Sequence, residues 1–190
     1  MKLNQGMTFA AVCTSLGVAL MVFSATSGAE SRSDRDITAK APRVFSVQAK
    51  GSTWELGDDE LDSDGDPRFT LDHRATSGDI SFTLQEQKLE NDPPRHNAFW
   101  RAYVKGAKKR LAVFVEVPVP PELKMPLGFE CHASEEPLIK KDVLEVTHIT
   151  CTTARSKTHV LLHIWLDKEI EWKKYAADVN DLLAMVTPKQ

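Results

Sequence analysis

Cysteine is scarce in this 190-residue chain: there are three, and Cys13 falls inside an apolar stretch near the start. That leaves Cys131 and Cys151, too few for a thiolate zinc site and without the Cys-x-x-Cys spacing of a redox motif. There is no Gly-x-Ser-x-Gly turn and no His-Glu-x-x-His pair, so two familiar hydrolase signatures are missing. Long apolar runs are missing too. The run from Thr8 to Phe23 has 16 residues, where a spanning helix needs roughly 20. Nor is there an excess of positive charge, with 24 basic against 27 acidic residues. A mildly acidic chain is a poor partner for nucleic acid. Its one basic cluster, Lys105, Lys108, Lys109 and Arg110, reads as the cationic end of a helix.

The first residues carry the clearest address. Lys2 supplies a positive start, Thr8 to Phe23 an apolar middle, and Ser24 to Ala29 a small-residue exit. These are the three parts of a cleavable secretory signal. Cleavage is expected after Ala29, with Ala25 a second exit, so residues 1–29 are read as signal. Residues 30–42 are polar and charged and are read as a flexible leader, and 43–190 as a single domain. The expected location is therefore the periplasm or beyond, with membrane contact only through the signal before cleavage. An oxidising compartment and an even cysteine count predict a disulfide between Cys131 and Cys151; two buried free thiols are the alternative.

The pattern along 43–190 alternates strands and helices. Strands are expected over Arg43–Gln48, Thr53–Leu56, Phe69–His73 and Asp79–Gln87. A helix capped by Asp92 follows, with Phe99, Ala102, Tyr103, Gly106 and Ala107 at helical spacing. Leu111–Val117 and Leu127–Ala133 read as strands. Val143–Thr153 and Thr158–Asp167 read as a hairpin about a turn at 154–157. Trp172, Tyr175, Ala176, Val179, Leu182, Leu183 and Val186 then mark an amphipathic helix of about 15 residues, ending before Pro188. Consecutive strands with short turns predict the α+β class: a mainly antiparallel sheet with a middle helix and an amphipathic C-terminal helix packed on it. This order of elements resembles the PsbP-like family of exported α/β sandwich proteins. The resemblance implies an accessory or binding role without catalysis.

Three groups of residues are candidates for function. The first is the acidic segment carrying Asp58, Asp59, Glu60, Asp62, Asp64 and Asp66. Asp62-Ser-Asp64-Gly65-Asp66 suggests a calcium loop, but with Gly65 at the sixth place Leu71 falls where a bidentate Glu is needed. A solvated loop is the simpler reading, and an acidic surface for a partner protein the functional one. Trp100 is a second candidate for that surface, because it lies beside Phe99 and one helix cannot turn both rings inward. The third group is His148, His159 and His163. With Arg155-Ser156 at the turn centre, His148 faces His163 and Thr152 faces His159, so all three share a sheet face and could bind zinc or copper. Histidines that serve only the sheet face are the simpler reading, and no cofactor is expected.

With no residue set that performs chemistry, the chain is read as a non-enzyme. The expectation is an exported accessory protein that contacts another protein of the cell envelope. One form is an immunity or inhibitor protein against a toxin or hydrolase. An envelope-complex assembly factor and a small-ligand or metal carrier are the alternatives.

Overall fold

Side chains that alternate apolar and polar pair into sheets, and those spaced by three and four wind into helices. The computed structural model describes residues 37–38, 44–57, 68–89, 91–137, 142–155 and 157–189. In chain order the strands are β1 (Ile37–Thr38), β2 (Phe45–Ser46), β3 (Gln48–Ala49), β4 (Trp54–Leu56), β5 (Arg68–His73) and β6 (Ile80–Lys88). Helix α1 (His96–Arg110) follows, then β7 (Val115–Val117), β8 (Glu130–Glu136), β9 (Val146–Arg155) and β10 (Thr158–Asp167). A tight 3₁₀ turn over Trp172–Tyr175 leads into α2 (Ala176–Ala184) and the last strand, β11 (Thr187–Pro188). The signal and the acidic residues Asp58 to Asp66 lie outside the described residues. So does most of the leader, of which Ile37–Thr38 pairs with Gln48–Ala49.

Seven strands form one sheet in the order β4-β5-β6-β10-β9-β8-β7. Every pairing in it is antiparallel, as the α+β class requires. No helix among the described residues is long and apolar enough to cross a membrane.

The two faces of this sheet differ because the strands alternate. On one face β10 presents Val160, Leu162, Ile164 and Leu166, β6 presents Ile80, Phe82 and Leu84, and β9 presents Ile149 and Cys151. Val179, Leu182 and Leu183 of α2 join this cluster, with Phe45 and Val47. Full burial of such side chains contributes roughly 1.5–3 kcal/mol each, so this face is the core. The opposite face is polar and lies under α1. His96 Nδ1 meets Thr152 Oγ1 at 2.7 Å, and the Phe99 ring packs edge-on against His159. Strand β10 is apolar on both sides because a different helix serves each face.

Several boundaries depart from expectation. Asp92 does not cap α1; the helix begins after Arg95, which makes no side-chain capping bond. The residue before a proline is pushed out of helical geometry, and Asp92 and Pro93 both precede one. The strand expected over Leu111–Val117 shrinks to Val115–Val117. Leu111 N–H still bonds back to Ala107 O and closes the helix, which delays the strand. What remains is an edge strand paired on one side. The strand expected from Leu127 starts at Glu130, because Gly128 turns the chain at φ +84°. The closing helix is nine α-helical residues after its 3₁₀ turn rather than one helix of about 15.

The cysteines are bonded. Cys131 on β8 lies directly opposite Cys151 on β9, with Cα atoms 4.0 Å apart. The link closes a sequence separation of 20, for which chain-entropy reasoning gives roughly 3 kcal/mol. The paired substitution Cys131→Ser with Cys151→Ser is expected to lower unfolding free energy by about that amount. Urea denaturation checks it, and a loss below about 0.5 kcal/mol would show that the strands hold without the link.

Candidate functional site

The polar sheet face under α1 carries the densest hydrogen-bonded cluster among the described residues. Period-two alternation sets Ser134 and Glu136 on β8, His148 and Thr150 on β9, and His163 and Trp165 on β10 onto that face. Helical spacing sets His96, Trp100, Tyr103 and Ala107 on the sheet-facing side of α1; His96, Trp100 and Ala107 are buried. The histidine register differs from expectation by two. Thr158 pairs with Arg155, His163 with Thr150, Trp165 with His148, and His159 with Ala154. The turn centre is one residue later than expected, which moves every partner by two. A shift of two leaves each side chain on its own face, so the three histidines do share a face but none is directly opposed to another.

Glu136 is the hub. Its carboxylate is buried and Oε1 accepts from Tyr103 Oη at 2.7 Å and from the Ser134 hydroxyl. His148 Nδ1 lies 3.3 Å from the same oxygen and 2.9 Å from Tyr103 Oη. On its other side, His148 Nε2 meets His163 Nδ1 at 2.9 Å, with Thr150 Oγ1 within reach of both rings. Trp165 stacks on His148 with ring centroids 3.7 Å apart. The chain of contacts thus runs from Glu136 through His148 to His163. Among the described residues no group bonds His163 Nε2.

Charge follows from this arrangement. Burial pushes the Glu136 carboxyl up, but hydrogen bonds from His148, Ser134 and Tyr103 outweigh it and hold the group below its ordinary value. Burial and the Glu136 carboxylate push the Tyr103 phenol far up, so it keeps its proton and donates. Burial, then the neighbouring His148 and Arg68, push the His163 imidazole down to about 3. Burial also lowers His159, and burial with His132 beside it lowers His96.

These shifts act in one direction on stability. A base whose folded value is depressed stays neutral in the native state, while the unfolded chain takes up protons below about pH 6.5. Stability is then present above pH 6.5 and lost as pH falls toward the folded value. Glu136, a depressed acid, adds a further loss below its ordinary range. His163 alone is expected to remove on the order of 2 kcal/mol between pH 8 and pH 5. Urea titrations at the two values check this, and equal stabilities would overturn it.

Around this network lies a cleft of about 360 Å³, lined by Arg68, Thr83, Gln85, Tyr103, Arg110, Leu111, Glu136, His148, His163 and Trp165. Arg68 opens β5 beside Gln85, and Arg110 closes α1. Both side chains are exposed. The floor is rigid because its polar groups satisfy one another, and the wall is aromatic.

Of the residues singled out from sequence, His148 and His163 come together here. His159 does not join them; it packs against Phe99 with Nε2 buried and without a partner. Among the described residues no group of three or more His, Cys, Asp or Glu side chains is placed to hold a metal ion. Trp100, offered as a partner contact, is 5% exposed; it stacks between Tyr103 and His132 and donates from Nε1 to Glu116. Phe99 is the half-buried one of the pair, so the helix turns Trp100 inward instead.

Sequence reading missed Glu136, Tyr103, Ser134, Arg68 and Arg110. One signal was available. If Cys131 lies opposite Cys151, the antiparallel register puts Ser134 opposite His148 and Glu136 opposite Val146. The disulfide thus brings a carboxylate onto the histidine face.

No family model matches this sequence, and no curated protein matches it either. Among solved structures, a crystal structure from Bacteroides thetaiotaomicron is 13% identical, with a TM-score of 0.48 over 83% of this chain. This chain spans 49% of that one. The solution structure of the cyanobacterial PsbP protein CyanoP from Synechocystis is 10% identical, with a TM-score of 0.56 over 94% of this chain and 98% of that one. The described domain is therefore similar in fold to PsbP along most of both chains, and at one identical residue in ten the likeness is one of fold alone.

Proposed function

We propose that this chain is an exported, non-catalytic binding domain that holds a small molecule in the cleft between α1 and the polar sheet face. The observation that carries the reading is the cleft of about 360 Å³ built on the Glu136–His148–His163 network. Small-molecule sites are concave, largely pre-formed and carry a few fixed polar groups beside apolar walls. This cleft has each of those properties. Export is supported by the signal-like first 29 residues and is compatible with the Cys131–Cys151 disulfide.

The protein-contact form of the role, an immunity protein included, has less support. Its acidic residues lie outside the described ones, and Trp100 is turned inward. The reading without catalysis is supported by the cleft's make-up. No hydroxyl or thiol nucleophile lies beside His163 other than Thr150, which is itself buried in the network.

The test is a small-molecule screen read by protein NMR. Compounds that bind are expected to shift the Trp165 indole and His163 ring signals and leave the Trp54 indole, on the far edge strand, unmoved. A diverse library that shifts neither Trp165 nor His163 would sink the proposal.

A further inference from the structure

We propose that the ligand of this cleft is a small organic anion whose carboxylate or phosphate is held by Arg68 and Arg110. This rests on the binding reading above and names the ligand class it leaves open. The argument begins with the partners that cations have elsewhere on the surface. Lys50, Arg74, Lys108, Lys168, Lys173 and Lys174 each sit beside a carboxylate. Among the described residues Arg68 and Arg110 have none, and both line one cleft from different elements. A surface arginine without a counter-ion is ordinary. Two that border one concave site are a match for an anion, because each guanidinium offers a planar fork of donors to two oxygens.

The one carboxylate lining the cleft does not cancel them. Glu136 is already the acceptor for Tyr103 and Ser134 and lies against His148. The balance is two cations against one carboxylate whose acceptor capacity is largely occupied. A cationic ligand would face both guanidiniums with that single buried oxyanion as compensation. A neutral ligand would leave the two charges unused. An anion uses both, and its attraction grows where the walls exclude water. His163 adds a ring nitrogen that no described residue bonds, and Trp165 gives the organic part an apolar surface.

The experiment uses the chain with its disulfide intact and four probes: inorganic phosphate, succinate, succinamide and 1,4-diaminobutane. Trp165 and His163 NMR signals report occupancy, and calorimetry reports affinity at low and physiological salt. Phosphate or succinate is expected to move these signals, whereas succinamide and the diamine do not. Binding is expected to weaken with salt. Arg68→Ala and Arg110→Ala are each expected to weaken the anion tenfold or more. Both residues are exposed, so the melting temperature of either variant should stay close to the parent's. A response to phosphate alone assigns a phosphate compound, and one to succinate alone a carboxylate. Binding of succinamide or the diamine in preference, or anion affinity unchanged in both variants, overturns the anion assignment and leaves the binding reading standing. Silence of Trp165 and His163 to these probes and to the wider library overturns both.

Discussion

Glu136→Ala is expected to lower the unfolding free energy by about 4 kcal/mol and to abolish ligand-induced shifts at Trp165. The substitution removes one acceptor and orphans three donors: Tyr103 Oη, the Ser134 hydroxyl and His148 Nδ1. A buried donor left without a partner costs about 1–3 kcal/mol. Water entering from the cleft relieves part of that cost, which places the expected loss nearer the middle of the summed range. Glu136→Gln separates charge from shape. It keeps an acceptor oxygen for Tyr103 and brings two N–H donors into a site already rich in donors, so a loss of about 2 kcal/mol is expected. Urea denaturation at pH 7.5 gives both numbers. A loss below 1 kcal/mol for the alanine variant would show that the network is wet and loosely held, and the rigid floor of the site would have to be abandoned.

The second large effect belongs to the other face. Leu162→Ala is expected to cost about 4 kcal/mol, because truncating a fully buried Leu loses transfer free energy and leaves a cavity. Leu162 is 0% exposed, faces Leu84 on β6 and Cys151 on β9, and lies in the cluster that α2 covers. Strands on both sides limit how far the site can collapse. Leu127→Ala is the control: that side chain is 99% exposed, and a change within about 0.5 kcal/mol is expected. Leu162→Ala is also expected to leave ligand affinity unchanged under folded conditions, since its side chain points away from the cleft. Comparing the two variants thus separates the face that stabilises from the face that binds.

Particular residues show how far the sequence could be read. The strand Thr158–Asp167 was legible to the residue, because it alternates on both faces and is bounded by a turn and an acidic end. So were the buried positions of α2, whose apolar residues recur at three and four. The cysteine pairing followed from compartment and count. The hairpin register was not legible. Two turn centres one residue apart fit the same residues about as well, and only the ladder chose Thr158 opposite Arg155. Trp100 and Phe99 pose a similar ambiguity. Adjacent helical aromatics point about a quarter turn apart, and which one is buried depends on how α1 is rotated on the sheet.

The site stayed hidden for a reason of distance. Tyr103, Glu136, His148 and His163 come from four elements spread over 60 residues, and Arg68 from a fifth. No spacing links them, because they meet across ladders and under a helix rather than along one element. Local chemistry by itself determined the signal-like start, the disulfide pair, the α+β class and one dry face of the main sheet, since each rests on composition or short-range periodicity. The tertiary structure decided which helix covers which face, which aromatic turns inward, and that a buried carboxylate, two histidines and two arginines border one cleft. Those outcomes depend on register and on helix docking, where the competing arrangements differ only in long-range contacts.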